Sequence, residues 1–429
     1  MAAAIDDNPT AKPPLDGVTV LDFSRVLAGP YCTMILADLG ARVIKVEKAG
    51  TGDDTRAFGP FLENGESAYF MSFNRRKESI VLDIKSPRDR QLLASLLDEA
   101  DVVVENFRPD VMERLGYGAE QLAQTHPHII YASISGFGHS GPFTHLPGYD
   151  MVVQAMGGIM DLTGWPDGEP ARVGTSFGDL GAALFTAIGI ISALYRRTGN
   201  AQGARIDIGM LDCQAALMET AFARYDVEGK VPTRTGDCHP SLAPFESVAA
   251  ADARLIVAAA NDQLFMILAD ALGVPGLALD PRFMTNVLRV TNREDMVREI
   301  EVVTKTQPVE HWIDILNKAG IPCSPINSID KVNSHPQLIA RDMFVSVADS
   351  SGHSIRTAGN PIRIDDIVND VENPIPAPGL NQHREAILKE FLGRSGAYAN
   401  SAEDIEQAVV TSKSAANDDN IEQNPRTGT

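Results

Sequence analysis

A chain of 429 residues, 44% hydrophobic and 22% charged, carries enough apolar material for more than one core and suits two domains at roughly one to two hundred residues each. Its net charge of −20 disfavours nucleic acid and anionic membrane as partners, because both require a basic surface to release counterions. No stretch of about eighteen apolar residues is free of charge or of Gly and Pro, which argues against a transmembrane span.

In chain order, Gly17 to Phe23 is an apolar, β-rich run. Pro30 to Leu39 is a helix with Pro in its first turn, and Ala41 to Glu47 is a second strand. Strand, helix and strand in so short a span make a βαβ unit, hence a parallel sheet. The rhythm continues through Ser79 to Ile84, a helix from Pro87 to Glu99, Asp101 to Phe107, and His128 to Ser133. This is a Rossmann-like, doubly wound arrangement. The turn after its first strand reads Ser24-Arg25-Val26-Leu27-Ala28-Gly29-Pro30 in place of G-x-G-x-x-G, so a nucleotide redox cofactor is not expected.

From Tyr149 the pattern turns helical, over Met151 to Leu162 and over Asp179 to Arg197, the latter apolar enough to predict near-complete burial. A strand at Arg205 to Ile208 and a helix from Leu211 to Val227 follow. The Pro- and Gly-bearing stretch Gly229 to Pro244 reads as a linker into a second unit. That unit has a strand at Leu255 to Ala260 and helices at Asp262 to Leu272, Asn292 to Thr304 and Val309 to Ala319. After Asn333 come loops, short strands and a helix near His383 to Leu392. The expected fold is α/β: a doubly wound large domain from both chain ends, 14–227 and 334–394, and a smaller inserted α+β domain, 228–333. Residues 1–13 and the Ser-, Asn- and acid-rich 395–429 are expected to be flexible.

The first residues, MAAAIDDNPTAKPPLDG, lack a basic start before an apolar core and carry acids where a transit peptide carries arginines, so a cytoplasmic location is expected. Cys32, Cys213, Cys238 and Cys323 are far apart with no C-x-x-C pair, which argues against a zinc site and a disulfide framework. No metal is expected. Against the acidic whole, cations gather in the first quarter, among them Arg25, Lys48, Arg56, Arg76, Arg108 and Arg114, which suits an anionic small molecule.

The strongest candidate for chemistry is Asp179, set between glycines in Phe177-Gly178-Asp179-Leu180-Gly181 at the head of the apolar helix. An aspartate there can be a plain N-cap. The flanking glycines, however, leave room for a ligand to approach closely, and the helix dipole and backbone N–H groups are expected to hold the carboxylate ionised, as a nucleophile requires.

Ordered motifs from about Pro14 to Leu392 place this residue in context: Pro14-Leu15-Asp16-Gly17, Leu27-Ala28-Gly29-Pro30, Val43-Ile44-Lys45-Val46-Glu47, Asn74-Arg75, Glu105-Asn106-Phe107-Arg108-Pro109, Gly136-Phe137-Gly138, Gly148-Tyr149-Asp150 and Gly178-Asp179-Leu180. In these the sequence closely resembles the class III CoA-transferases, which include formyl-CoA transferase and carnitine CoA-transferase. The resemblance implies that Asp179 attacks an acyl-CoA thioester to form an aspartyl anhydride and then an aspartyl-CoA thioester. It implies that coenzyme A lies against Val26, Ala28, Lys48, Ser72, Asn106, Phe107, Val111 and Arg114, and that the chain forms an interlocked homodimer. Gly157 and Gly158 are candidates to present N–H groups to the oxyanion, with helix packing an equal alternative. The related α-methylacyl-CoA racemases share the aspartate but have a histidine at the position of Tyr149. A phenol, with an ordinary pKa of about 10, is a poor second base, so transfer is preferred to racemisation.

Gly52-Asp53-Asp54-Thr55-Arg56 and His239-Pro240 through Asn261-Asp262-Gln263 resemble members that use succinyl-CoA and C4 to C6 dicarboxylates of the itaconate, mesaconate, citramalate or hydroxymethylglutarate type. A formyl-CoA/oxalate or carnitine specificity is the alternative, although the glycine-rich run of oxalate-specific members is missing. Arg25, Arg56 and Arg76 are candidate cations for a second substrate carboxylate. A catalytically silent acyl-CoA-binding protein is a reading of another class, against which Asp179 argues.

Overall fold

The structure, a computed structural model, describes residues 12–365 and 369–393. The segment from residue 395 expected to be flexible, and most of residues 1–13, lie outside the described residues.

Six short β-rich runs form one parallel sheet: β1 (Thr19–Asp22), β2 (Arg42–Glu47), β3 (Lys77–Val81), β4 (Val102–Glu105), β5 (Ile130–Ser135) and β6 (Ala204–Gly209). Their order is β3-β2-β1-β4-β5-β6, with Asp22 paired to Lys45 on one side and Val104 on the other. Of these, β2, β4 and β5 are nearly continuous runs of buried residues, as strands covered on both faces require, whereas the edge strand β6 is mostly half-buried or exposed. Alternation along them sorts the core into two layers. Leu21, Ile44, Ile80 and Val103 pack with Leu92, Leu93, Leu96 and Leu97 of the Pro87–Glu99 helix and with Ile387 and Phe391 of the Arg384–Gly393 helix. Val20, Val43, Val102, Val104 and Ile130 face the opposite way, onto Cys32, Ile35 and Leu36 of the Ala28–Asp38 helix and Ala183, Ala187, Ile190 and Leu194 of the Phe177–Asn200 helix.

Among the described helices, Phe177–Asn200 is long and apolar enough to cross a membrane by length and composition, a case the sequence reading had set aside. Here it is a core helix on the sheet. The expected near-complete burial is not found either: Leu184, Ile188, Ile191 and Tyr195 are exposed on its other side. A second sheet of the same unit joins β10 (Phe344–Ala348), β11 (Ser354–Ala358) and β12 (Ile375–Pro376).

The chain divides into two compact units, the first taking in residues up to Asp150, Gly178–Cys213 and from Asp342 onward, the second Met151–Phe177 and Gln214–Arg341. Residues 151–177, 214–227 and 334–341, read from sequence as part of the large domain, fall in the second unit. The physical reason lies in the Pro/Gly-rich stretch, which is tied to that segment: Gly236 donates to the Gly164 carbonyl at 2.9 Å, and the Arg234 guanidinium contacts Asp161 at 2.9 Å. The second unit is α+β. Its antiparallel strands β7 (Phe245–Ala249), β8 (Arg254–Ala258) and β9 (Cys323–Pro325) share a core with the Asp262–Ala271, Arg293–Thr304 and Val309–Lys318 helices, built from Leu255, Val257, Phe265, Ile300, Trp312 and Leu316. Two helices read as continuous are each broken in two. Gly158, at φ 83°, ends the Asp150–Met156 helix region before Ile159–Leu162, and a left-handed Glu219, at φ 49°, separates Met210–Ala216 from Ala221–Glu228.

Candidate active site

In a sheet of this order the strand order reverses between β1 and β4, and the crevice beyond their carboxyl ends is where ligands bind. The loop Ser24–Leu27 leaves β1 and Asn106–Pro109 leaves β4, and both line a cavity of about 160 Å³. Arg25, Val26, Ala28, Asn106, Phe107 and Tyr149 border it, and so does Asp179. The two loops are stitched together: the Arg25 N–H donates to Asn106 Oδ1 at 2.8 Å and Asn106 Nδ2 to the Arg25 carbonyl at 2.7 Å. Close backbone approach shapes the far wall. A Cβ on Gly148 would stand 2.5 Å from Gly136 Cα, so the two lining segments touch only because both residues are glycine.

Asp179 is the third residue of the Phe177–Asn200 helix and is half-buried. Its carboxyl is pushed up to about 7, first by burial and then by the nearby Asp150 carboxylate. The expectation that helix dipole and N–H groups would hold it readily ionised is thus corrected. Desolvation and a like charge outweigh them. Asp150 is itself fixed, its Oδ1 accepting the Gly178 N–H at 2.8 Å, and it orients the residue just before Asp179.

Of the residues the resemblance assigns to coenzyme A, the cavity brings together Val26, Ala28, Asn106 and Phe107. Lys48 is exposed just beyond β2, and Val111 and Arg114 lie on the short Val111–Leu115 helix, where Arg114 is exposed and donates to the Asp110 carbonyl at 3.1 Å. Ser72 borders a separate cavity of about 90 Å³, and its hydroxyl donates to the Ala68 carbonyl. Of the three candidate substrate cations only Arg25 lines the site, where it pairs with Asp54 at 2.7 Å. Arg56 is committed to Glu47 at 2.7 Å and stacks over the Phe70 ring, and Arg76 lies 3.4 Å from Asp38. Gly157 and Gly158 fall in the second unit, where a Cβ on Gly157 would stand 3.0 Å from Gln214 Cβ, a packing reason for glycine there.

The sequence reading did not single out Ile134, Ser135, Thr144, Leu146 or Met210, which also border the cavity. Nothing in their type marks them; they arrive by position at strand ends and in one loop. Arg108 also lines it, and its place in the local cluster of cations was the available signal.

A carboxylate at the head of an apolar helix, on the wall of a crevice at the switch point of a doubly wound sheet, lies where α/β proteins of this class bind their ligands. The model of CoA-transferase family III matches residues 15–384. The chain belongs to that family, also called CaiB/BaiF, and is a class III CoA-transferase whose substrates are CoA thioesters. It is 45% identical over 384 residues to an acetyl-CoA:oxalate CoA-transferase of Acetobacter aceti, covering 89% of this chain and 97% of that protein. It is 38% identical over 379 residues to a succinyl-CoA:glutarate CoA-transferase of Mus musculus, covering 88% and 86%. The crystal structure of a CaiB/BaiF family protein from Brucella suis superposes with a TM-score of 0.78 at 40% identity, over 89% of this chain and 100% of that one.

Proposed function

We propose that this enzyme transfers CoA from succinyl-CoA to a C4 to C6 dicarboxylic acid, with Asp179 as the covalent nucleophile. The observation that carries the reading is the Asp179 carboxylate on the wall of the switch-point cavity shared with Val26, Asn106 and Phe107. The ionised carboxylate attacks the thioester carbonyl; the C–S bond breaks, and the CoA thiolate leaves with the electron pair. The thiolate then attacks the aspartyl carbonyl of the resulting anhydride, which expels the donor acid and leaves an aspartyl-CoA thioester. The acceptor carboxylate displaces the thiolate to form a second anhydride. Attack of the thiolate on the acceptor carbonyl releases the new CoA ester and restores Asp179. Each intermediate is of similar energy to a thioester, so the bond energy is carried forward so long as water is kept out.

Arg25, which lines the cavity together with Arg108, is the group we assign to the acceptor's second carboxylate. A second reading, acetyl-CoA as donor and oxalate as acceptor, is favoured by the 45% identity to a relative named for those substrates. We also propose a homodimer, supported by the exposed stripe Leu184, Ile188, Ile191 and Tyr195 along one side of the Phe177–Asn200 helix; light scattering on the purified protein tests it, and a monomeric mass refutes it. For the reaction, intact-mass spectrometry with succinyl-CoA or acetyl-CoA, then with oxalate, glutarate, mesaconate or citramalate, compares wild type with Asp179→Ala. A covalent adduct and a new CoA ester in wild type alone support the reading. Turnover only of acetyl-CoA with oxalate selects the second, and no exchange with any pair overturns both.

A further inference from the structure

The backbone leaving β1 is strained where it meets the cavity. Val26 has φ 67°, a left-handed conformation that a β-branched side chain rarely adopts and that persists only where surroundings enforce it. Four charged groups lie buried at the ends of the first three strands and beside them: Asp22, Lys45, Asp53 and Lys77, each less than 5% exposed. Lys45 Nζ donates to the Ser24 carbonyl at 2.8 Å and stands 2.9 Å from Asp53 Oδ2. Asp53 Oδ1 accepts the Val26 N–H at 3.2 Å and the Thr55 N–H at 2.9 Å. One ion pair therefore grips the carbonyl before Arg25 and the amide after it. Asp22 and Lys77, 3.0 Å apart, complete the charge balance, and the Asp22 carboxylate also accepts Ser24 N–H at 2.9 Å.

A buried ion pair contributes little net stability compared with apolar residues of the same volume, so stability alone gives no reason for this one. Its grip on a strained segment that lines the active-site cavity gives another. We propose that the Lys45–Asp53 pair is a positioning device for the acyl-CoA site, holding Ser24–Val26 in the conformation that forms the cavity wall. The inference rests on the reading of this cavity as the acyl-CoA site. Neither Asp53 nor Lys45 borders the cavity; they act through the Ser24 carbonyl and the Val26 amide. Burial would raise the Asp53 carboxyl, but Lys45 and the Thr55 N–H overcome it and keep it below the ordinary carboxylate range, so the pair stays charged.

The test uses the full-length protein and four variants: Asp53→Ala, Asp53→Asn, Val26→Gly, and Val26→Gly combined with Asp53→Ala. KM for the acyl-CoA is read from turnover, and Kd for free CoA from calorimetry. Asp53→Ala is expected to raise both about tenfold, the population lost when a left-handed β-branched residue is released. Asn keeps an oxygen for the Val26 and Thr55 amides, so Asp53→Asn stays within about threefold of wild type. Glycine takes positive φ without a clamp, so in the Val26→Gly background the alanine change costs less than about threefold. If the Asp53→Ala protein does not fold, Asp53→Ser, too short to reach the Val26 amide, replaces it. Unchanged KM and Kd in Asp53→Ala, equal losses with Asn and Ala, or an equal loss from Asp53→Ala in both Val26 backgrounds, overturn the proposal and leave only charge balance. Wild type that binds CoA but turns over no acid refutes the functional reading while the Kd comparison still decides this one; wild type that binds no CoA refutes both.

Discussion

Replacing Asp179 by asparagine removes the charge with almost no change of shape, and it should stabilise the protein while abolishing its chemistry. The carboxyl is raised from its ordinary 3.8 to about 7 by burial and by Asp150. An acid whose folded pKa lies above its unfolded one opposes folding once ionised. The penalty begins as pH climbs past the unfolded value and is fully present above the folded one. Shielded completely, that rise at about 1.4 kcal/mol per pH unit would amount to about 4 kcal/mol; solvent reaching the half-buried group reduces it to about 2 kcal/mol. Asp179→Asn is therefore expected to gain about 2 kcal/mol at pH 8 and less than about 1 kcal/mol at pH 5. Urea denaturation of both proteins at the two pH values measures it. An asparagine variant no more stable than wild type at pH 8, or a gain equal at both pH values, would refute the claim that this site holds its nucleophile at a cost in stability.

The same titration governs rate. The acid limb of kcat/KM for the acyl-CoA should fall through a pH near 7, with about a tenth of the enzyme active one unit below; Asp150→Asn, which removes the like charge, should move that limb to lower pH, visible in a pH-rate profile from 5 to 9. Gly148→Ala would set a Cβ 2.5 Å from Gly136 Cα and is expected to cost more than about 2 kcal/mol or to prevent soluble expression, read by thermal melting. Ile190→Ala leaves a void between the Phe177–Asn200 helix and the sheet and should cost about 2–5 kcal/mol in urea with little effect on KM. Arg25→Ala should raise KM for a dicarboxylate acceptor by about tenfold or more and leave KM for a monocarboxylate nearly unchanged, which initial-rate comparison checks.

The parallel sheet was legible because buried parallel strands are written as short apolar runs, β-branched in Val102–Glu105 and mixed in Ile130–Ser135, separated by helices with their own periodicity. Asp179 was legible from its glycine bracket and the apolar helix behind it, and Asn106 and Phe107 from the ordered motif they sit in. The boundary of the second unit was not, because it depends on which earlier segment the Pro/Gly-rich stretch binds, and Arg234 to Asp161 is a pairing across seventy-three residues that composition does not encode. The ionisation of Asp179 was misread for the same reason. A helix N-terminus is visible in the sequence, whereas Asp150, twenty-eight residues upstream of Gly178, comes to its side only through the fold. Arg25, Arg56 and Arg76 looked alike as cations in the chain. Tertiary structure separated them by position: each has a carboxylate partner, Glu47 for Arg56, Asp38 for Arg76 and Asp54 for Arg25, but of the three only Arg25 is carried on the loop that borders the cavity. Local pattern thus determined the parallel strands and the Gly-bracketed aspartate at the head of an apolar helix, because both depend on neighbours in the chain; the protonation of that residue and the choice among cations were decided by long-range packing, because electrostatic environment is a property of neighbours in space.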